Sequence, residues 1–157
     1  MRLYFLRHAD SPPGADDAVR PLSKLGQRQA KVLADMLANA GIVFDAAYSS
    51  PLVRARETAE IILPVTNNNK RIILELTDAL LNEEKNFTGW LKKIPDGKNI
   101  LLVGHNPSIS DHIVRLLKWH AGDSFEMSKG MLACLRTDDR EIYSLKLVIG
   151  PKMLGVK

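Results

Sequence analysis

A single cysteine, Cys134, stands in a chain of 157 residues, which excludes an internal disulfide and any metal site built on several thiolates. Its apolar neighbours read as those of a small residue buried in a strand. Long apolar runs are also missing. The first, Leu3-Tyr4-Phe5-Leu6, is broken by Arg7 and His8 and is too short for the core of a secretory signal. No stretch approaches the length of a membrane span. Charge of one sign is not in large excess: 22 basic against 18 acidic residues leave +4, a mild bias suited to anionic ligands. The basic residues neither gather on one helix nor alternate with aromatics, which argues against nucleic acid as a partner. A Gly-rich phosphate loop ending in Lys is absent, as is an acidic cluster at metal-ligand spacing. What remains is a single cytoplasmic domain over residues 1–157, with no membrane partner, no metal and no cofactor expected.

Residues 2–7 are expected to form a buried strand that runs into the breaker-rich loop Ser11-Pro12-Pro13-Gly14. Ser23 is a helix N-cap candidate. Leu25, Gln29, Val32, Leu33, Met36, Leu37 and Ala40 then keep helical spacing until Gly41 stops it. A short strand at 46–49 leads to Ser50-Pro51, a cap followed by a first-turn proline, and the helix so opened should end at Pro64. Ile72-Ile73-Leu74 is a third strand candidate, and 84–94 a helix weakened by Gly89. Asn99 to Val103 is the clearest buried strand. A helix carrying Ile109, Ile113, Leu116 and Leu117 on one face follows Gly104-His105-Asn106-Pro107, and strands at 131–136 and 142–147 close the chain around Asp138-Asp139. Strands alternating with helices predict an α/β fold. We expect a three-layer α/β/α sandwich whose sheet is mostly parallel with one antiparallel strand.

Ligands of such sheets bind beyond the carboxyl ends of the strands. The first strand delivers Arg7-His8 there, the second Ser49-Ser50-Pro51 with Arg54 one helical turn later, and the fourth Gly104-His105-Asn106. If those strands are neighbours, two histidines and two arginines converge, and two helix N-termini add free amides that favour an anion. Phosphoryl transfer needs this set. Guanidinium groups match the phosphoryl oxygens with paired donors, and a neutral histidine can act as nucleophile. A second histidine, if cationic, can donate to the oxygens as charge develops. A metal-free His/Arg pocket is the economical reading.

These residues carry a family likeness. Leu6-Arg7-His8-Ala9 resembles the Arg-His-Gly signature of the histidine phosphatase superfamily, the phosphoglycerate mutase-like proteins. Ser50-Pro51-Leu52-Val53-Arg54-Ala55-Arg56-Glu57-Thr58 is similar to its Ser-Pro-x-x-Arg-Ala-x-x-Thr motif. Val103 to Pro107 resembles its second-histidine motif, and Arg20-Pro21-Leu22-Ser23 with Gly26 and Gln29-Ala30 matches the opening of its first helix. The tail, Leu145-Lys146-Leu147 with Pro151 and Leu154, is similar to that of the small phosphohistidine phosphatases. The resemblance implies that His8 is phosphorylated on a ring nitrogen and then hydrolysed. It implies that Arg7 and Arg54 clamp the phosphoryl oxygens, that His105 donates to them in the transition state, and that Arg20 joins the rim. Ser11 and Asn106 complete the expected substrate-binding set, Asn106 being also, like Ser50, a candidate helix cap. Ala9 departs from the family's Gly, and would be strained if the backbone there took a positive φ.

Expelling an alkoxide needs a positioned proton donor, worth on the order of 10²–10⁴-fold. Glu75, Asp78, Glu83 and Glu84 are on offer, none in a recognisable family motif, and Glu83 to Lys85 also read as a solvated face together with Arg56 and Glu57. A phosphohistidine instead leaves as an imidazole that solvent can protonate. A site without its own acid, in a chain too short for a cap domain, therefore suits a phosphohistidine protein such as a phosphotransfer domain. The alternatives are a phosphatase of small phosphomonoesters with Asp78 or Glu83 as acid, and a non-catalytic module that binds phosphorylated partners. Asp10, Asp16 and Asp17 read as loop solvation, with Asp10 near enough to orient an arginine. His112 and His120 read as surface residues.

Overall fold

The computed structural model describes residues 1–83, 86–120 and 125–156. Glu84 and Lys85, which the sequence offers as an acid candidate and a solvated residue, lie outside the described residues. Six strands form one sheet in the order β3-β2-β4-β1-β5-β6. They are β1 (Arg2–Arg7), β2 (Ala46–Ser49), β3 (Leu74–Leu76), β4 (Asn99–Gly104), β5 (Leu132–Arg136) and β6 (Ser144–Ile149). β1, β2, β3 and β4 pair in parallel, whereas β5 runs antiparallel to both β1 and β6.

Two apolar layers cover the sheet, because side chains alternate along each strand. Tyr4 and Leu6 of β1, with Leu101 and Val103 of β4, face a core closed by α1 (Lys24–Asn39) and α2 (Val53–Thr66). Leu3 and Phe5, with Ile100 and Leu102, face the opposite core under α3 (Phe87–Leu91) and α4 (Ser108–Leu116). The fold is thus the three-layer α/β/α sandwich expected. None of the described helices is long and apolar enough to cross a membrane.

α1 begins at the expected cap: Ser23 accepts from the amide of Gly26, and Gly41 ends the helix at φ +71°. Gly26 also has a packing role. A Cβ there would lie 2.0 Å from the carbonyl oxygen of Asp10, so only glycine lets the first turn of α1 press on the loop leaving β1. Several expectations are corrected. α2 starts at Val53 after Leu52, with no side-chain cap, because the Ser50 hydroxyl is engaged elsewhere. Pro64 lies inside that helix rather than ending it. Its missing donor falls on an exposed position, and Asn67 continues the ladder to Leu63 while its side chain holds Phe44 from both sides. β3 begins at Leu74, since pairing of Ala47 with Leu74 and Ser49 with Leu76 leaves Ile73 exposed. α3 is a short turn of helix, with Gly89 packed against the Asn86 side chain. His112 is buried, its ring stacked on Phe87 at 3.8 Å, on the same face of α4 as Ile109 and Ile113.

Candidate active site

The register of the central pair sets the site. Arg7 of β1 lies opposite Gly104 of β4, so the next residues, His8 and His105, leave the sheet side by side. The His8 amide donates to the Gly104 carbonyl at 3.0 Å, and the two rings sit 5.0 Å apart between centroids. β2, on the other side of β4, ends with Ser49 opposite Val103 and brings Ser50 alongside. Its hydroxyl hydrogen-bonds Nε2 of His105 at 2.5 Å. Ser50, read from sequence as a helix cap, therefore orients a histidine. The signal was its place at a strand end adjoining the second-histidine strand.

His8 is held as one tautomer. Nδ1 lies 2.7 Å from the carbonyl oxygen of Ala9, which can only accept, so Nδ1 carries the proton and Nε2 the lone pair. Nε2 in turn accepts from Nε of Arg54 at 3.3 Å. Burial, with Arg54, Arg7 and Lys129 nearby, lowers the His8 pKa to about 4 despite the Ala9 contact. Burial first, then His8 and Arg54, lower that of His105 to about 3. Both rings are therefore neutral at pH 7. Burial thus works against a cationic His105, the condition set for its donor role. Ala9 is fully buried and its φ is not positive, so the methyl group brings no backbone strain. Its amide donates to Thr58 Oγ1, which itself donates to the Arg54 carbonyl, tying the His8 loop to the first turns of α2.

Arg54 is 5% exposed and every guanidinium nitrogen has a partner. Nε faces His8, Nη1 donates to the main-chain carbonyl of Asp17 at 2.8 Å, and Nη2 meets the Asp17 carboxylate at 3.2 Å. Asp17 is thus not loop solvation. It sits in a 3₁₀ turn, Asp17–Val19, whose cap is Asp16, and its other oxygen accepts from Nε and Nη2 of Arg20 at 3.0 and 2.7 Å. Arg20 reaches the rim through this carboxylate and the Pro12 carbonyl. Arg7 is anchored by Nη1 on the Met127 carbonyl at 2.8 Å. Ser11 donates to the Pro21 carbonyl at 2.7 Å, and Asn106 donates to Met127 and accepts from Ser110. Both are thereby committed to holding loops. Asp10 binds Ser23 and Lys129 rather than an arginine.

A cavity of about 320 Å³ opens beside these groups, lined by Asp17, Leu52, Arg54, Leu81, Asn82, Glu83 and His105. Glu83 therefore stands at the site, whereas Asp78 lies exposed in its own 3₁₀ turn and is absent from the lining. Among the described residues no group of acidic, histidine or cysteine side chains could hold a metal ion.

Neutral buried histidines make stability depend on pH. His8, His105 and His112 have folded pKa values of about 4, 3 and 4, below the unfolded value near 6.5, so the unfolded chain binds more protons across that window. Their contribution is complete above about pH 6.5 and falls as pH drops toward 4, by about 1.4 kcal/mol per histidine per pH unit. Urea midpoints measured from pH 7 to pH 5 are expected to fall steadily. A flat profile would show that these rings are not held neutral.

A model of the histidine phosphatase superfamily (branch 1) matches residues 3–83. An uncharacterized protein of Picosynechococcus sp. is 31% identical over 98% of this chain and 99% of its own length. Among solved structures, SixA of Agrobacterium tumefaciens, named as a phosphohistidine phosphatase, is 26% identical with a TM-score of 0.79, covering 96% of this chain and 97% of its own. The protein histidine phosphatase SixA complexed with tungstate has a TM-score of 0.86 at 20% identity, covering 98% and 99%. An Escherichia coli K-12 protein named for α-ribazole-5′-phosphate phosphatase activity has a TM-score of 0.79 at 20% identity, covering 96% and 98%.

Proposed function

Because the chain belongs to the histidine phosphatase superfamily, branch 1, we propose that it hydrolyses phosphoryl groups through a phosphorylated His8, with protein phosphohistidine as its substrate. One observation carries this reading: the lone pair of a neutral His8 is fixed on Nε2, beside the buried guanidinium of Arg54. Nε2 attacks phosphorus in line, the P–N bond to the substrate's imidazole breaks, and that leaving ring takes a proton from solvent. Arg54 and Arg7 hold the phosphoryl oxygens, with His105 donating a ring N–H to them as charge builds. Water then attacks phosphorus in the second step, returning inorganic phosphate and free His8. The cavity beyond the carboxyl ends of the strands, with Arg54 and His105 on its wall, supports a protein-borne histidine as substrate, as does the likeness to the Agrobacterium protein.

Glu83 favours a second reading, because a carboxyl group on the cavity wall could protonate an alkoxide leaving group. A phosphohistidine-bearing phosphotransfer domain and a panel of sugar phosphates and nucleotides, offered side by side, separate the two. A higher kcat/KM on the phosphotransfer domain is expected. Preference for a phosphomonoester, together with a loss of its turnover on the order of 10²-fold or more in Glu83→Gln, would establish the second reading instead.

A further inference from the structure

We infer that Asp17 is a built-in competitor for the phosphoryl site, an anion that occupies Arg54 when substrate is absent and must give way when it arrives. This rests on the reading of Arg54 as a phosphoryl clamp. Nε of Arg54 is spent on His8, and Asp17 covers the two remaining nitrogens, by its carbonyl on Nη1 and its carboxylate on Nη2. An incoming phosphoryl group needs the same donors, since paired N–H groups are what a guanidinium offers an oxyanion. It also brings negative charge to a place where Asp17 already holds one. The arginines Arg20 and Arg54 keep the Asp17 carboxyl below its ordinary pKa, so it is charged at any working pH.

Displacement is inexpensive by construction. The Asp17 side chain is 64% exposed, and its second oxygen remains on Arg20, whose Nε and Nη2 both donate to it. The carboxylate can therefore leave Arg54 without losing its other partner. Arg20, placed on the rim by sequence, becomes the residue that parks the displaced anion. An empty site held this way has its affinity for oxyanions reduced by the fraction of molecules in which Arg54 is free. The same competition helps the product phosphate to depart.

The test is equilibrium binding of inorganic phosphate to the full chain, by calorimetry, with no turnover required. Asp17→Asn is expected to tighten phosphate binding roughly tenfold, a size set by removing one partly screened charge contact. Asp16→Asn, which keeps the cap of the same turn, serves as the control and is expected to match the wild-type affinity. The gain should vanish when Asp17→Asn is combined with Arg54→Ala. Unchanged or weaker binding in Asp17→Asn, in a variant whose thermal unfolding matches wild type, would overturn the inference, as would an equal gain without Arg54. Failure of the wild-type chain to bind phosphate at all would instead count against the clamp itself.

Discussion

His8→Ala is expected to lose turnover by roughly 10⁴-fold or more, on any substrate the wild-type chain accepts, together with all phosphoenzyme. The size follows from what the imidazole does. As the proposed nucleophile it divides one displacement into two. The His105 ring is 5.0 Å away, with Nε2 engaged by Ser50. Brief mixing with labelled substrate and acid or base quench reads the outcome directly, since a phosphohistidine is labile in acid and stable in base. Retained turnover, or a wild-type enzyme that turns over without a trappable phosphoenzyme, would sink the assignment. The ring is buried, so thermal unfolding should be compared, and His8→Asn offers a polar variant closer in shape.

Arg54→Ala is expected to lower kcat/KM by about 10²–10³-fold, against less than about twofold for Arg56→Ala, two residues along the same helix. Arg54 is buried and preorganised against His8, whereas the Arg56 side chain is 41% exposed and meets Glu60 at 3.4 Å. An exposed pair of that kind is worth little. Arg54→Lys should recover part of the loss, because it restores the charge without the paired donors. Equal effects at positions 54 and 56 would refute the clamp.

The frame of this site was legible in the sequence because it lies at strand ends, where short apolar runs give way to breakers. Arg7-His8 and Gly104-His105 could be placed at carboxyl ends before any pairing was known, and the parallel register of β1 and β4 brings them together. Asp17 was not legible. Its contact with Arg54 spans 37 positions, and a carboxylate in a Pro- and Gly-rich loop carries no periodicity that distinguishes a partner from a solvated residue. Ser50 was misread for a different reason: Ser-Pro is an equally good opening for a helix, and only its tie to His105 shows which role it takes. His112 had a usable signal, standing three residues after Ile109 and four before Leu116 on the buried stripe of α4. Pro64 escaped because a proline at an exposed position bends a helix without needing to end it.

The spacing of the two histidine rings is close to the ordinary distance between neighbouring strands, about 4.8 Å. The gap between the His8 and His105 rings is thus a lattice constant of the sheet, inherited from backbone ladders. Asp17 and the segment Leu81-Asn82-Glu83, which line the cavity, belong to no ladder. Reaction and recognition are therefore carried on separable parts of the molecule. A protein engineer could vary the cavity-wall positions Leu52 and Leu81 to retarget the enzyme toward bulkier or smaller phosphoryl donors, leaving the His8–His105 pair and the Asp17–Arg54 contact in place.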